Sequence, residues 1–325
     1  MAAKRMAKGY KSQLWLGFES EYGVMPASPK SYSLPFNSYG VTLSRTLTQA
    51  ETISGTRNPL EPFSGNTDVS GDIVVPLDLS AYGYWLRALL GKPTTVASEE
   101  PDAGVHTHTF KIQDDVESFW IQTLYATNPA SYVLSSGLKI SSMSMDMGTD
   151  GELTTTLSVM GKNQALSASP VAGVAEKPLF QRLNNNMGKL LLDGEEYGDV
   201  TAFTLNVDNG LDGDTYTIGG GGTRGDISEG LSSVGGQISV LFKDAQLIED
   251  ALNSTHKSAK IVFTRTEGSL TFDIQEFLLS AQTPGIDGPA GLRLSMDWQA
   301  FWSIGSNGSA IMATLVNAHE TYADA

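Results

Sequence analysis

The sequence predicts a mainly β protein made of two tandem copies of one domain, each mostly antiparallel strands with one short helix. Three observations predict it. A strand that feeds a short amphipathic helix occurs twice. Landmarks around it recur in the same order. Several further segments alternate apolar and polar residues at period 2, the mark of half-buried antiparallel strands.

The first strand–helix unit starts at Ser70. Ile73, Val75 and Leu77 share one face, with Asp72 and Val74 on the other. Asp78 or Ser80 can cap a helix whose stripe is Tyr82, Trp85, Leu86 and Leu89, and Gly91 and Pro93 stop it. The second unit carries Gly236, Ile238, Val240 and Asp244 in the matching places, then the stripe Leu247, Ile248, Ala251, Leu252 and a stop at Asn253. Gly55-Thr56-Arg57 returns as Gly222-Thr223-Arg224, and Thr42-Leu43 as Thr204-Leu205. All three landmarks recur at a spacing of about 165 residues, an ordinary domain length. The expected division is 1–160 for the first domain with an N-terminal arm, 161–189 for a linker and 190–325 for the second domain.

In chain order, Met1 to Gly9 is a basic arm carrying Lys4, Arg5 and Lys8. Leu14 to Phe18 is extended and runs into a Gly/Pro turn. Val41 to Ser44 is a strand. Thr46 to Ser70 lacks periodicity and is too long for a hairpin loop, so it reads as a functional or ordering segment. After the first helix, Thr94 to Val105 is an acidic loop. Thr109–Ile112 and Ser118–Tyr125 are strands. In the next strand Met143, Met145 and Met147 oppose Ser142, Ser144 and Asp146; in the one after, Leu153, Thr155, Leu157 and Val159 share a face. Gly161 to Lys177, rich in Ala, Ser, Gly and Pro, reads as the linker. In the second copy Asp208 to Val234 repeats the long loop. Ile261 and Phe263 mark one strand, Leu270, Phe272 and Ile274 another. The cleanest alternation sets Leu292, Leu294, Met296, Trp298 and Ala300 against Arg293, Ser295, Asp297 and Gln299.

The chain has 325 residues, 40% hydrophobic and 18% charged, which is globular composition. No apolar run approaches the length of a membrane span, and Leu14-Trp15-Leu16 is too short for a signal-peptide core. With no cysteine, disulfides and thiolate metal sites are excluded. The net charge of −15 argues against tight nucleic-acid binding, which needs Lys and Arg to displace counterions. It suits a surface that nucleic acid passes without sticking.

Catalytic and ligand motifs do not assemble. His106-Thr107-His108 puts two imidazoles on one side of an extended segment, but no third ligand sits at a fixed spacing. Asp114, Asp115 and Glu117 lack the glycine and distal glutamate of a calcium loop. The glycines at 219–222 lie inside a long loop rather than between a strand and a helix, so they are not a phosphate loop. No nucleophile elbow or zincin motif is present. The expectation is a protein that is not an enzyme and takes no cofactor and no metal.

The run Leu16-Gly17-Phe18-Glu19-Ser20-Glu21-Tyr22-Gly23, then Gly55-Thr56-Arg57, then Ser70 to Val75, then the helix ending Leu89-Leu90-Gly91, resembles the tail tube (major tail) proteins of long, non-contractile-tailed bacteriophages. The first copy carries the resemblance well and the second more loosely. It lacks an equivalent of Trp85 and adds the glycines at 219–222.

That resemblance implies β-sandwich domains, each with a flanking helix, whose inner strands join those of neighbouring subunits into a barrel around a lumen. Rings would stack into the tube that conducts DNA. The long loops and the arm would contact other subunits, which nominates Arg5, Lys8, Arg57, Asn58, Phe63, Arg224 and Asp226. Thr46–Ser70, Asp208–Val234 and the arm would order on stacking. The partners implied are further copies of the chain, a tape-measure protein, a tail terminator and tail-tip proteins. The place implied is the virion tail, assembled in the host cytoplasm. If a ring uses six domains, a duplicated chain gives three chains per ring; a ring of six chains, or one undivided core across both halves, would overturn that. Period 2 sends the acids Asp146, Glu152, Asp273 and Asp297 away from the apolar face, toward the lumen or the outer surface, and makes them the candidates for the lumen. The alternative from another class is a non-polymerising β-sandwich, either an adhesin or carbohydrate-binding module or a tail-tip protein. Sugar-stacking aromatics on exposed loops would mark the former, whereas Trp85, Trp120 and Trp298 fall in patterned elements and read as core.

Overall fold

The computed structural model describes residues 6–98, 104–127, 129–148, 150–286, 288–289, 291–303 and 308–323. The first half contains β1 (Gln13–Phe18), β2 (Tyr32–Leu34), β3 (Ser38–Tyr39), β4 (Thr42–Thr48), β5 (Phe63–Pro76), α1 (Tyr82–Leu90), β6 (Thr94–Ala97), β7 (His106–Lys111), β8 (Phe119–Tyr125), β9 (Ser131–Met147), β10 (Thr154–Gly161) and β11 (Asn163–Ser167). The second contains β12 (Gly188–Leu192), β13 (Glu195–Glu196), β14 (Val200–Asp208), β15 (Ser233–Leu241), α2 (Gln246–Leu252), β16 (Lys257–Arg265), β17 (Gly268–Leu279), β18 (Arg293–Ala300) and β19 (Met312–Asn317). The mainly β antiparallel architecture expected from the alternating segments is the one present.

The two halves pair their strands in the same order. In the first, β4 lies on β5, β5 on β10 and β10 on the second part of β9. In the second, β14 lies on β15, β15 on β18 and β18 on the end of β17. The strands β9 and β17 each bend out of this first layer into a second one. There β9 pairs with β8 and β11, and β17 with β16 and β19. Gly137, at φ 63°, and a register shift opposite Ser158 and Val159 allow the bend in β9. In each half one glycine admits the neighbouring strand. A Cβ on Gly71 would collide with the carbonyl of Gly40, and one on Gly236 with the carbonyl of Thr204.

Two ladders weld the halves together. The last strand of one four-strand set meets the first of the next where β9 pairs β14, Phe203 opposite Met147, Leu205 opposite Met145 and Val207 opposite Met143. In the second layer β7, from the first half, pairs β19. Both seams bury their apolar faces, so the hydrophobic core is one undivided cluster across the chain.

The structure differs from the sequence reading in five places. Thr94–Val105 is not all loop, since Thr94–Ala97 is β6 and pairs with β7. The stripe on α1 predicts one buried face, yet all nine helix residues are buried. The C-terminal turn covers the other side. Tyr322 packs on Gly83, and Arg87 donates to Glu117 at 2.6 Å and to the Tyr322 carbonyl at 2.7 Å, with its guanidinium 3.8 Å from the Phe18 ring. Helix α2 lacks such a cover and leaves Leu252 70% exposed. Thr46–Ser70 is not one aperiodic loop: β4 and β5 run through it as a hairpin arm, and only residues 49–62 are loop. Its period was hidden because β4 has both faces in solvent. The expected linker is docked. β11 pairs β9, Glu176 exchanges backbone hydrogen bonds with Ser31 and Ser33, and Leu183 donates to Leu77. Finally, Asp208–Val234 folds back on the first half, as described next.

Candidate functional site

Period 2 leaves one face of the joined first layer polar. The register lines its residues into rows that cross the whole chain. One row runs Asp146 (β9), Thr204 (β14), Gln237 (β15), Asp297 (β18). A second runs Asp72 (β5), Ser158 (β10), Ser142 (β9), Asp208 (β14), Ser233 (β15). All four aspartates are exposed. Their neighbours are hydrogen-bond donors rather than cations. Ser158 donates to Asp72 at 2.7 Å, Thr204 to Asp146 at 2.9 Å and Gln237 to Asp297 at 3.1 Å. The face is therefore a sheet of hydroxyls, amides and carboxylates, joined by one exposed cation on β18, Arg293, with core side chains behind it.

Of the four acids nominated from sequence, Asp146 and Asp297 lie on this face. Asp273 is on the second layer, paired with Lys260 at 3.0 Å. Glu152 sits before β10, held by Arg182 at 3.0 Å and by the Asn37 amide at 2.8 Å. Alternation alone puts an acid away from the core but does not say which layer carries the strand. Asp72 and Asp208 were missed as members of the face. Asp72 had its signal, opposite Ile73 on a patterned strand, whereas Asp208 lay at the border of what reads as a loop.

The nominated contact residues separate into two groups. Arg57, Asn58 and Phe63 are exposed on the hairpin arm, beside Ile53 at 97% and Leu47 at 70% exposure. Lys8 is exposed near Tyr10, and Arg5 lies outside the described residues. Arg224 is not available to another subunit. It is buried, and its guanidinium donates to the carbonyls of Gly213 at 2.7 Å, Gly161 at 2.9 Å and Val69 at 3.3 Å, and to the Asp68 carboxylate. Partial burial pushes the Asp68 carboxyl up, but hydrogen bonds from Arg224 and Ser70 hold it below the usual range. Around this clasp Thr67 donates to the Gly222 carbonyl at 2.7 Å, Tyr216 to the Thr67 carbonyl at 3.0 Å, and Lys139 to Ile227 and Glu229. Asp226 is exposed, its carboxylate taking the Ile227 amide at 2.7 Å. The loop expected to wait for another subunit is already closed on its own chain.

The histidine pair does not converge on a cation. His108 is buried, its Nδ1 against Thr95 at 2.9 Å and its Nε2 against Asn317 and the His319 carbonyl. Trp85, Trp120 and Trp298 are core.

The sequence model of the phage tail tube protein family matches residues 9–300. The chain belongs to that family. No curated protein matches it. The tail tube family makes this a structural component of the virion tail. Among the described residues no helix is long and apolar enough to cross a membrane.

Proposed function

We propose that this tail tube protein closes into rings of three chains, that the rings stack into the tail tube, and that the polar face lines a DNA conduit. One observation carries the reading. The first layer is an eight-strand sheet with four strands from each half in the same order, and it ends on unlike edges, β4 at one side and β17–β18 at the other. Unlike edges on one molecule join head to tail, and a head-to-tail contact that closes makes a ring. The β9–β14 seam inside the chain supplies the pattern for the seam between chains. Stacking of these rings gives an open filament.

The undivided core is the outcome that overturns the count of three as drawn from two separate domains. The count of three rests instead on the repeated strand order. A barrel of this kind removes its sheet edges, and a carboxylate-rich face repels a polyanion that must slide. The tape-measure protein would occupy the lumen during assembly, with the terminator and tail-tip proteins at the two ends.

Negative-stain microscopy of the purified protein, with native mass spectrometry of single rings, tests this. Hollow tubes and three-chain rings are expected. A protein that stays monomeric under all assembly conditions, or rings of six chains, overturns it.

A further inference from the structure

The clasp on Arg224 has an empty counterpart. In the first half the clasp sits on Asp68, Val69, Met160 and Gly161. Register identifies the equivalents in the second half. Gly71 pairs Val159 as Gly236 pairs Trp298, so Val69 corresponds to Val234, Met160 to Gln299 and Gly161 to Ala300. At that place the second half has an open pocket of about 390 Å³, lined by Ser233, Val234, Leu279, Asp297, Trp298 and Gln299. What fills it in the first half is the second half's long loop. The matching loop of the first half is the hairpin arm, which projects into solvent.

The two loops are built alike. They span nearly equal lengths, from Leu43 to Val69 and from Val207 to Val234, register setting Leu43 against Val207, two residues on from the Leu205 that the sequence match suggests. Both carry Gly-Thr-Arg, and the glycines share one left-handed conformation, φ 73° at Gly55 and 75° at Gly222. Both are hairpins. The first is closed by the β4–β5 ladder and the second by bridges between Asp212 and Ser228 and between Tyr216 and Arg224. The difference lies in what each can reach. The second-half loop finds the first half of its own chain beside it across the β9–β14 seam. The first-half loop has no such neighbour in the monomer.

We infer that the arm of one chain closes on the second half of the adjacent chain, with Arg57 entering the Ser233–Asp297 pocket as Arg224 enters its own. The occupant is a second copy of this chain. The carbonyls of Val234 and Ala300 take the places of Val69 and Gly161. Ser233 stands where Asp68 would be, and Asp297 on the pocket wall supplies the carboxylate instead. A guanidinium with several fixed donors suits such a set of carbonyls and one carboxylate, which an ammonium cannot span. The inference rests on the ring reading, and it names which contact closes the ring.

Because the chain has no cysteine, paired substitution gives a clean test. The Arg57→Cys, Ser233→Cys protein is assembled above its raised threshold concentration, mildly oxidised and run on a non-reducing gel. Covalent species of up to three chains are expected. Arg57→Cys paired with Lys260→Cys, on the other layer, should give none. In parallel, Arg57→Ala should raise the concentration needed for assembly at least tenfold, leave the monomer's unfolding midpoint unchanged, and not be rescued by Arg57→Lys. Rings that assemble without the first cross-link, equal cross-linking at Lys260, or normal assembly of Arg57→Ala would overturn the inference and leave the ring reading standing. Wild-type protein that forms no rings would overturn both.

Discussion

Asp146 on β9 and Thr204 on β14 face each other across the seam between the two halves, with the threonine hydroxyl donating to the carboxylate at 2.9 Å. The pair turns one carboxylate outward at the centre of the polar face without neutralising it. On the other side of the same backbones Met145 packs against Leu205 in the core. The seam therefore joins the halves and continues the acidic face in one step.

The charge of that face is the first thing to test. Asp72→Lys, Asp146→Lys and Asp208→Lys together should leave assembly intact, because all three side chains are exposed and none carries the seam's apolar contacts. Duplex DNA should then bind the tubes with an affinity that falls steeply with salt, and genome ejection should slow. Wild-type tubes that already bind duplex DNA tightly at moderate salt would contradict an acidic bore.

Arg224 and Arg57 should behave as opposites in the monomer. Arg224→Ala leaves Asp68 and three carbonyls without their shared donor, and should lower monomer stability by about 3 kcal/mol in denaturant unfolding. Arg224→Lys should recover little of it, since one ammonium cannot reach all four acceptors.

Gly236→Ala should destabilise by about 2 kcal/mol or more, because the added Cβ meets the Thr204 carbonyl of the paired strand, which cannot move without opening the seam. Gly71→Ala should do the same through Gly40. Alanine at Gly198, where a Cβ would meet nothing, is the control. A wild-type-like midpoint for Gly236→Ala would rule out the close strand approach.

Two buried groups near the second-layer seam should give opposite pH dependence. Burial pushes the Asp78 carboxyl up to about 6 against the amides of Ser80 and Ala81, which donate to it. On acidification the folded state takes up this proton first, so Asp78 adds stability as pH falls through 6 toward 3.8. Burial pushes His108 down to about 4 from 6.5, so the unfolded state is protonated first and stability is lost across that window. Between pH 6.5 and 4 the two contributions oppose each other. Asp78→Asn should lose stability as pH falls, and His108→Gln should gain it. Parallel slopes for the two variants would remove the assignment.

The local elements were legible in the residues alone. Period 2 identified the later parts of β5 and β9, together with β10 and β18, and which of their residues are core, because a strand half in water must alternate. Asp78, Gly91 and the Tyr82–Leu89 stripe marked α1, and the repeated landmarks marked two halves that pair strands in one order. Tertiary structure decided what lies against what. Alternation places Asp146 and Asp273 alike, and only the pairing of their strands puts them in different layers. Gly55-Thr56-Arg57 and Gly222-Thr223-Arg224 read the same, yet Arg57 is exposed and Arg224 is buried. The reason is position in the chain. The second loop has a half-molecule beside it to fold onto, and the first does not, so identical residues take different partners according to which surface the topology brings within reach.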